Sequence, residues 1–243
     1  MANYLLVPGA WHGGWYWKRV TPLLRAAGHD VFTPTLTGLG ERKHLMSPDI
    51  GLDTHVQDVV GVLEYEDLWD VILVGHSYAG MVITGVAGRA PERIAHLVYL
   101  DAFVPEDGKS LMDYQPPEMA QLFYERTRTE GEGYKLPAVI PPEAFGVTDV
   151  DDLAWLLPRI DPHPFKTKLD PVHAGDLRSA SIPRTFVYCN APAAGPFGQF
   201  AERVKHDPGW GYVEMATGHE VMITHPALLA DLLLGLASRP PVG

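Results

Sequence analysis

Four short runs of the chain, Tyr4–Val7, Asp30–Thr33, Val71–Val74 and Ile94–Leu100, are continuous rather than alternating in apolar character. A strand covered on one face alternates, whereas a strand covered on both reads as an unbroken apolar run, the condition found inside a parallel sheet. Two further strand-like runs follow at Thr185–Cys189 and Gly211–Met215. Helical patterns lie between them at Trp15–Ala27, Leu52–Glu66 and Met81–Ala90, with a last one at Pro226–Ala237. Ala27-Gly28 is a helix stop, and Asp53-Thr54 followed by Asp58 is a helix start. This alternation predicts an α/β fold built on a doubly wound, mostly parallel sheet of six strands.

The rhythm breaks after the fourth strand. Between Phe103 and Ile182 the chain carries no strand signal, is punctuated by prolines, and shows short amphipathic pieces at Glu118–Thr127 and Asp151–Leu157. Trp155, Phe123, Tyr124 and Phe165 make the stretch too apolar for a solvated linker. It therefore reads as a mostly helical cap, residues 103–182, inserted into a core formed by residues 1–102 and 183–243.

Composition narrows the class of partner. Nineteen basic against thirty acidic residues leave a net charge of −11. That field repels phosphate backbones and anionic headgroups, so neither nucleic acid nor a membrane surface is an expected partner. A single cysteine, Cys189, permits no intrachain disulfide and no cysteine-based zinc site. The N-terminus has no basic leader region, and no apolar run is long enough to span a bilayer. The expectation is a cytoplasmic protein acting on a small molecule, with no metal or cofactor; a homodimer is left open.

The segment Asp70-Val71-Ile72-Leu73-Val74-Gly75-His76-Ser77-Tyr78-Ala79-Gly80-Met81 carries the strongest chemical signal. A buried strand runs through Gly-His-Ser-Tyr-Ala-Gly straight into a helix of small residues. This is the setting of a nucleophile elbow, in which a strained turn exposes the serine hydroxyl and small neighbours let strand and helix approach closely. The hydroxyl then sits at a helix N-terminus, whose dipole favours developing negative charge. Ala79 stands where a second glycine is usual, and one methyl group is tolerable there.

A serine hydroxyl needs a base beside it. Among eleven histidines, His219 follows the last strand through Ala216-Thr217-Gly218, on the loop that faces the ligand edge of a doubly wound sheet. His76 adjoins the serine, but its side chain is expected to point away, into packing. A developing oxyanion needs two preorganised donors. The amide of Tyr78 is one, and the amide of Ala10, in the glycine-rich loop Pro8–Trp15, is the other.

Together these features resemble the α/β-hydrolase superfamily, and within it the small capped enzymes grouped with plant methylesterases and hydroxynitrile lyases. The resemblance rests on Val7-Pro8-Gly9-Ala10-Trp11-His12-Gly13-Gly14-Trp15, on Pro34–Gly40 after the second strand, and on Gly218-His219 with Met222 and Pro226. It implies an acyl-enzyme on Ser77, formed from a small ester, lactone or carbamate, with His219 as base. Trp11, Met112, Met119, Phe123, Trp155 and Met222 would line the substrate pocket. Two readings compete with the carboxylesterase. A hydroxynitrile lyase of this group has a lysine after its histidine and a threonine in the oxyanion loop, where this chain has Glu220 and Gly9. A non-catalytic small-ligand receptor would keep the pocket without turnover.

The acid of the site is the least conventional expectation. The loop where such enzymes keep a carboxylate reads Asn190-Ala191-Pro192-Ala193-Ala194-Gly195-Pro196 and has none. Asp207 lies at the wrong end of the last strand, and Glu202 lies within the preceding helical segment. Asp101 ends the strand after the nucleophile helix, at the ligand edge, and is the predicted acid. The alternative is a serine–histidine dyad whose ring is oriented by Asn190 or water.

Overall fold

The computed structural model describes residues 1–175 and 182–237; the expected cap and core ends at 176–181 and 238–243 lie outside the described residues. In chain order the first elements are β1 (Asn3–Val7), α1 (Thr21–Ala26), β2 (Asp30–Phe32), α2 (Leu52–Tyr65), β3 (Val71–His76), α3 (Ala79–Arg89) and β4 (Ile94–Leu100). Then come α4 (Pro117–Glu130), β5 (Lys135–Leu136), α5 (Val150–Leu156), β6 (His163–Pro164) and α6 (Lys166–Leu169). The chain returns through β7 (Arg184–Cys189), α7 (Gly198–Lys205), β8 (Gly211–Met215), α8 (Val221–Thr224) and α9 (Pro226–Ala237).

Six strands form one sheet in the order β2-β1-β3-β4-β7-β8, and every neighbouring pair is parallel. Parallel neighbours need crossovers, and α2, α3 and α7 are among those that supply them. In β1, Leu5 and Val7 enter one core layer with Val59 and Leu73, while Tyr4 and Leu6 enter the other with Leu24 and Leu233. Both faces are covered, which is the physical reason the strand reads as a continuous apolar run.

Two sequence expectations are corrected here. The pattern over Trp15–Ala27 predicts one helix, but the chain forms a short 3₁₀ turn over Gly14–Trp17 and then α1, with Pro22 in the first turn. Pro22 has no N–H to continue a helix from the preceding turn, so the helix restarts around it. The segment between β4 and β7 also contains strand as well as helix, because β5 and β6 pair antiparallel. It packs Leu111, Phe123 and Phe165 into the same core layer as the sheet.

Asp58 has a different duty from the helix start read from sequence. Its carboxylate accepts the Thr37 amide (2.6 Å) and hydroxyl (2.8 Å) and pairs with Arg42 (3.0 Å), tying down the loop after β2. The helix does start at Asp53-Thr54: α2 begins at Leu52, Thr54 Oγ1 accepts the Gly51 amide (3.4 Å), and Asp170 Oδ2 accepts the Leu52 amide (3.1 Å).

Candidate active site

The site is a consequence of strand register. β3 and β4 pair His76 with Leu100, so the next residue on each chain, Ser77 and Asp101, leaves the sheet beside the other. Both adopt left-handed backbone, φ 54° for Ser77 and φ 41° for Asp101, which costs of order 1–3 kcal/mol for each residue with a side chain. Surrounding bonds hold the strain in place. The Ser77 amide donates to Leu100 O (3.2 Å), Phe103 N donates to Ser77 O (3.1 Å), and Asp101 N donates to Val187 O (2.7 Å). Small residues are compulsory here: a Cβ on Gly75 would lie 2.8 Å from Ala79 O, and one on Gly80 would lie 1.9 Å from Phe103 O.

His219 reaches this edge on the loop between β8 and α8. Its Nδ1 lies 2.6 Å from Asp101 Oδ2, and the other carboxylate oxygen accepts the Cys189 amide at 3.2 Å. Both side chains are buried. Burial raises the Asp101 carboxyl above the usual range, while the His219 ring and the Cys189 amide pull it down. A carboxylate can only accept, so Nδ1 carries a proton, and in the neutral ring the lone pair is left on Nε2. Among the described residues neither Nε2 nor the Ser77 hydroxyl has a hydrogen-bond partner. The imidazole is clamped by rings: Phe197 stacks on it at 4.7 Å, Phe145 lies at 4.7 Å and His76 at 4.3 Å. Asp207 and Glu202 are exposed, away from the ring.

His76 is buried as expected, but it touches the site directly. Its Nε2 donates to the His219 carbonyl (3.1 Å), which helps fix the loop. Burial, with His219 and His12 nearby, holds its pKa well below the usual histidine range. His12, stacked on Tyr16 at 4.1 Å, is pushed down to about 3 by burial. Neutral imidazoles thus pack beneath His219, adding no competing positive charge.

Ser77 lines a cavity of ≈ 50 Å³ together with Ala10, Trp11, Tyr78, Phe103, Phe123 and Phe145, with Gly195–Phe197 on another wall. Ala10 and Tyr78 therefore stand at the cavity beside the serine. The amide of Trp11 is engaged by His163 Nδ1 (3.2 Å). The Tyr78 hydroxyl meets His55 Nδ1 at 2.9 Å, and His55 Nε2 meets Thr37 O at 2.9 Å. Burial pushes His55 down to about 4, so it is neutral; it donates to the Thr37 carbonyl and accepts from Tyr78.

Four expected pocket residues are not on the cavity wall. Met112 and Met119 pack, partly buried, against the core layer that holds Phe103 and Phe123. Trp155 lies against Trp15 (5.2 Å) and beneath the guanidinium of Arg19. Met222 is fully buried in the opposite layer, with Val74 and Leu229. A place in the inserted segment or beside His219 puts an apolar side chain near the site without saying which wall it packs against. Sequence reasoning missed Leu111, Gln115, Ile140 and Lys168, all of which do line the cavity. Lysine in a short run gives no signal of burial at all.

A strained serine elbow covered by the segment between β4 and β7, at the carboxyl edge of a six-stranded parallel sheet, defines a class. The profile of the Alpha/beta hydrolase family matches residues 4–232, and the chain belongs to that family. It is 43% identical to the carbendazim hydrolyzing esterase of Nocardioides sp. (strain SG-4G), over 97% of this chain and 100% of that one. Methylesterase 1 of Arabidopsis thaliana is 27% identical over 98% of this chain and 96% of its own. Among solved structures, an extracellular alpha/beta-hydrolase from a Paenibacillus species is similar with a TM-score of 0.85 and 26% identity, covering 97% of this chain and 98% of that one.

Proposed function

We propose that the protein is a serine esterase that cleaves a small carboxylic ester, lactone or carbamate through an acyl-enzyme on Ser77. The observation that carries this reading is the left-handed Ser77 on the cavity wall with the buried His219–Asp101 pair behind it. His219 Nε2 takes the serine proton as Oγ attacks the carbonyl, then returns it to the leaving group. Asp101 holds the ring in the tautomer that leaves Nε2 free and stabilises the imidazolium that forms. The amides of Ala10 and Tyr78 receive the oxyanion. Water, activated by the same histidine, releases the acid. Esterases among the relatives support the substrate class.

The lyase reading gains nothing from the position after His219. Glu220 is buried there, with its carboxyl pushed up to about 8 by burial, so it supplies no cation for a departing anion. A reducing, cytoplasmic setting agrees with one buried free thiol, Cys189. Among the described residues no helix is long and apolar enough to cross a membrane.

A fluorophosphonate probe tests the reading. It should modify Ser77, mapped by peptide mass, and Ser77→Ala should abolish both labelling and turnover of p-nitrophenyl esters. Losing the nucleophile of such a unit costs roughly 10⁶ in kcat. Turnover within tenfold of the unsubstituted enzyme would refute the assignment.

A further inference from the structure

Lys168, on the short helix α6, is only 2% exposed, yet it lines the cavity that holds Ser77. Its Nζ sits 3.9 Å above the centre of the Tyr78 ring and 5.6 Å from the centre of the Trp11 ring. Those two residues follow Ser77 and Ala10 in sequence, and all five line the same cavity. Among the described residues it has neither a hydrogen-bond acceptor nor a carboxylate partner. The neighbouring polar groups are already committed: His55 to Thr37 and Tyr78, and His163 to Trp11 and Thr167. Asp170 caps α2 and pairs with Lys166.

Among the described residues nothing but two aromatic faces meets the amine, and methionine, of nearly the same length, would fill the same space without a polar group. Burial also holds the Lys168 ammonium well below the usual lysine range. Its N–H donors remain in either protonation state, and burial that disfavours charge suits a neutral acceptor better than an anion that would itself have to be desolvated. We propose that Lys168 is a specificity-determining residue that donates a hydrogen bond to an uncharged acceptor on the substrate, a heteroaromatic nitrogen or second carbonyl oxygen within a few bonds of the scissile carbonyl. The inference rests on Ser77 being the nucleophile. It narrows the substrate class from small esters in general to those carrying such an acceptor.

Two matched pairs of esters test it: methyl pyridine-2-carboxylate against methyl benzoate, and pyridin-2-ylmethyl acetate against benzyl acetate. They place the ring nitrogen on the acyl side or on the alcohol side. The kcat/KM ratio within each pair is measured for the unsubstituted enzyme, Lys168→Met and Lys168→Gln. Dividing ratios between proteins cancels the intrinsic reactivity of the esters. In at least one pair the preference for the nitrogen ester should fall tenfold or more in Lys168→Met and be partly restored in Lys168→Gln, which keeps an N–H donor. Lys168→Met should melt no lower than the unsubstituted protein, because methionine fills the same space without a polar group. Equal losses on both members of each pair, or a markedly lower melting temperature without a change in ratio, would make Lys168 a packing residue and overturn the inference. Fluorophosphonate labelling of Ser77 in all three proteins separates the failures. Intact labelling with unchanged ratios refutes the role of Lys168 alone; no labelling of the unsubstituted enzyme refutes the nucleophile and the inference that rests on it.

Discussion

At the scale of single residues, the site depends on which atoms keep a proton. Asp101 fixes Nδ1–H of His219, so Asp101→Asn replaces an obligate acceptor with a group that can donate, and the ring can flip its tautomer. The variant should fold and lose up to about 10⁴ in kcat. Circular dichroism and steady-state rates check this, and a loss below fivefold would argue for a dyad. Glu220 poses a separate question. Its carboxyl, pushed up from 4.5 to about 8 by burial, holds its proton more tightly in the folded chain than in the unfolded one. The stability it contributes is therefore complete below pH 4.5 and lost as pH rises from there to about 8. Glu220→Gln does not titrate. Its stability relative to the unsubstituted protein should therefore grow across that window, by a few kcal/mol at most. Denaturant melts at pH 5 and pH 8 would show it, and a difference independent of pH would contradict it.

At the scale of elements, the elbow is a packing problem before it is a chemical one. α3 can start two residues after Ser77 only because β3, α3 and the segment after β4 meet without side chains between them. Gly80→Ala would place a methyl 1.9 Å from the Phe103 carbonyl, backbone that cannot swing aside. Overpacking of this kind costs roughly 1–3 kcal/mol or more. The variant should melt lower and also lose activity, since Phe103 N is bonded to Ser77 O. The β8–α8 loop obeys the same constraint, because a Cβ on Gly218 would lie 2.5 Å from Phe145 O. That contact brings the segment 145–146 against His219.

At the scale of the whole molecule, the sheet supplies the reacting groups and the segment above it shapes the space they act in. The cavity, ≈ 50 Å³, has room for a few waters, and side chains from above the sheet form its roof. Phe123 of α4 is 4% exposed and forms part of that roof. Phe123→Ala should shift the preference toward bulkier esters and cost about 3–5 kcal/mol of stability. A panel of acyl and alcohol chain lengths, run beside thermal melts, would measure both. An unchanged size preference would place the roof elsewhere.

Local sequence determined the sheet and the elbow, because both are written in neighbouring residues. Inner strands such as β1 and β3, buried on both faces, must be apolar throughout, and the six strand-like runs match β1–β4, β7 and β8 to within one or two residues at their ends. A serine between small residues at a strand-to-helix junction has few conformations open to it, and φ 54° is one. Asp101 was legible as the residue that ends β4, since chain order puts strand ends at one edge. Tertiary structure decided which ring that carboxylate faces, through a register 118 residues apart in sequence. It also decided the cavity wall. Met112 and Met119 pack, partly buried, against the cavity's own core layer without reaching its wall, while Trp155 and Met222 lie with the opposite layer. Lys168 satisfied no pattern, because a lysine becomes a buried cavity group only when the segment that carries it folds down over Tyr78 and Trp11. Periodicity fixes how an element is covered; only the packing of distant elements fixes what covers it.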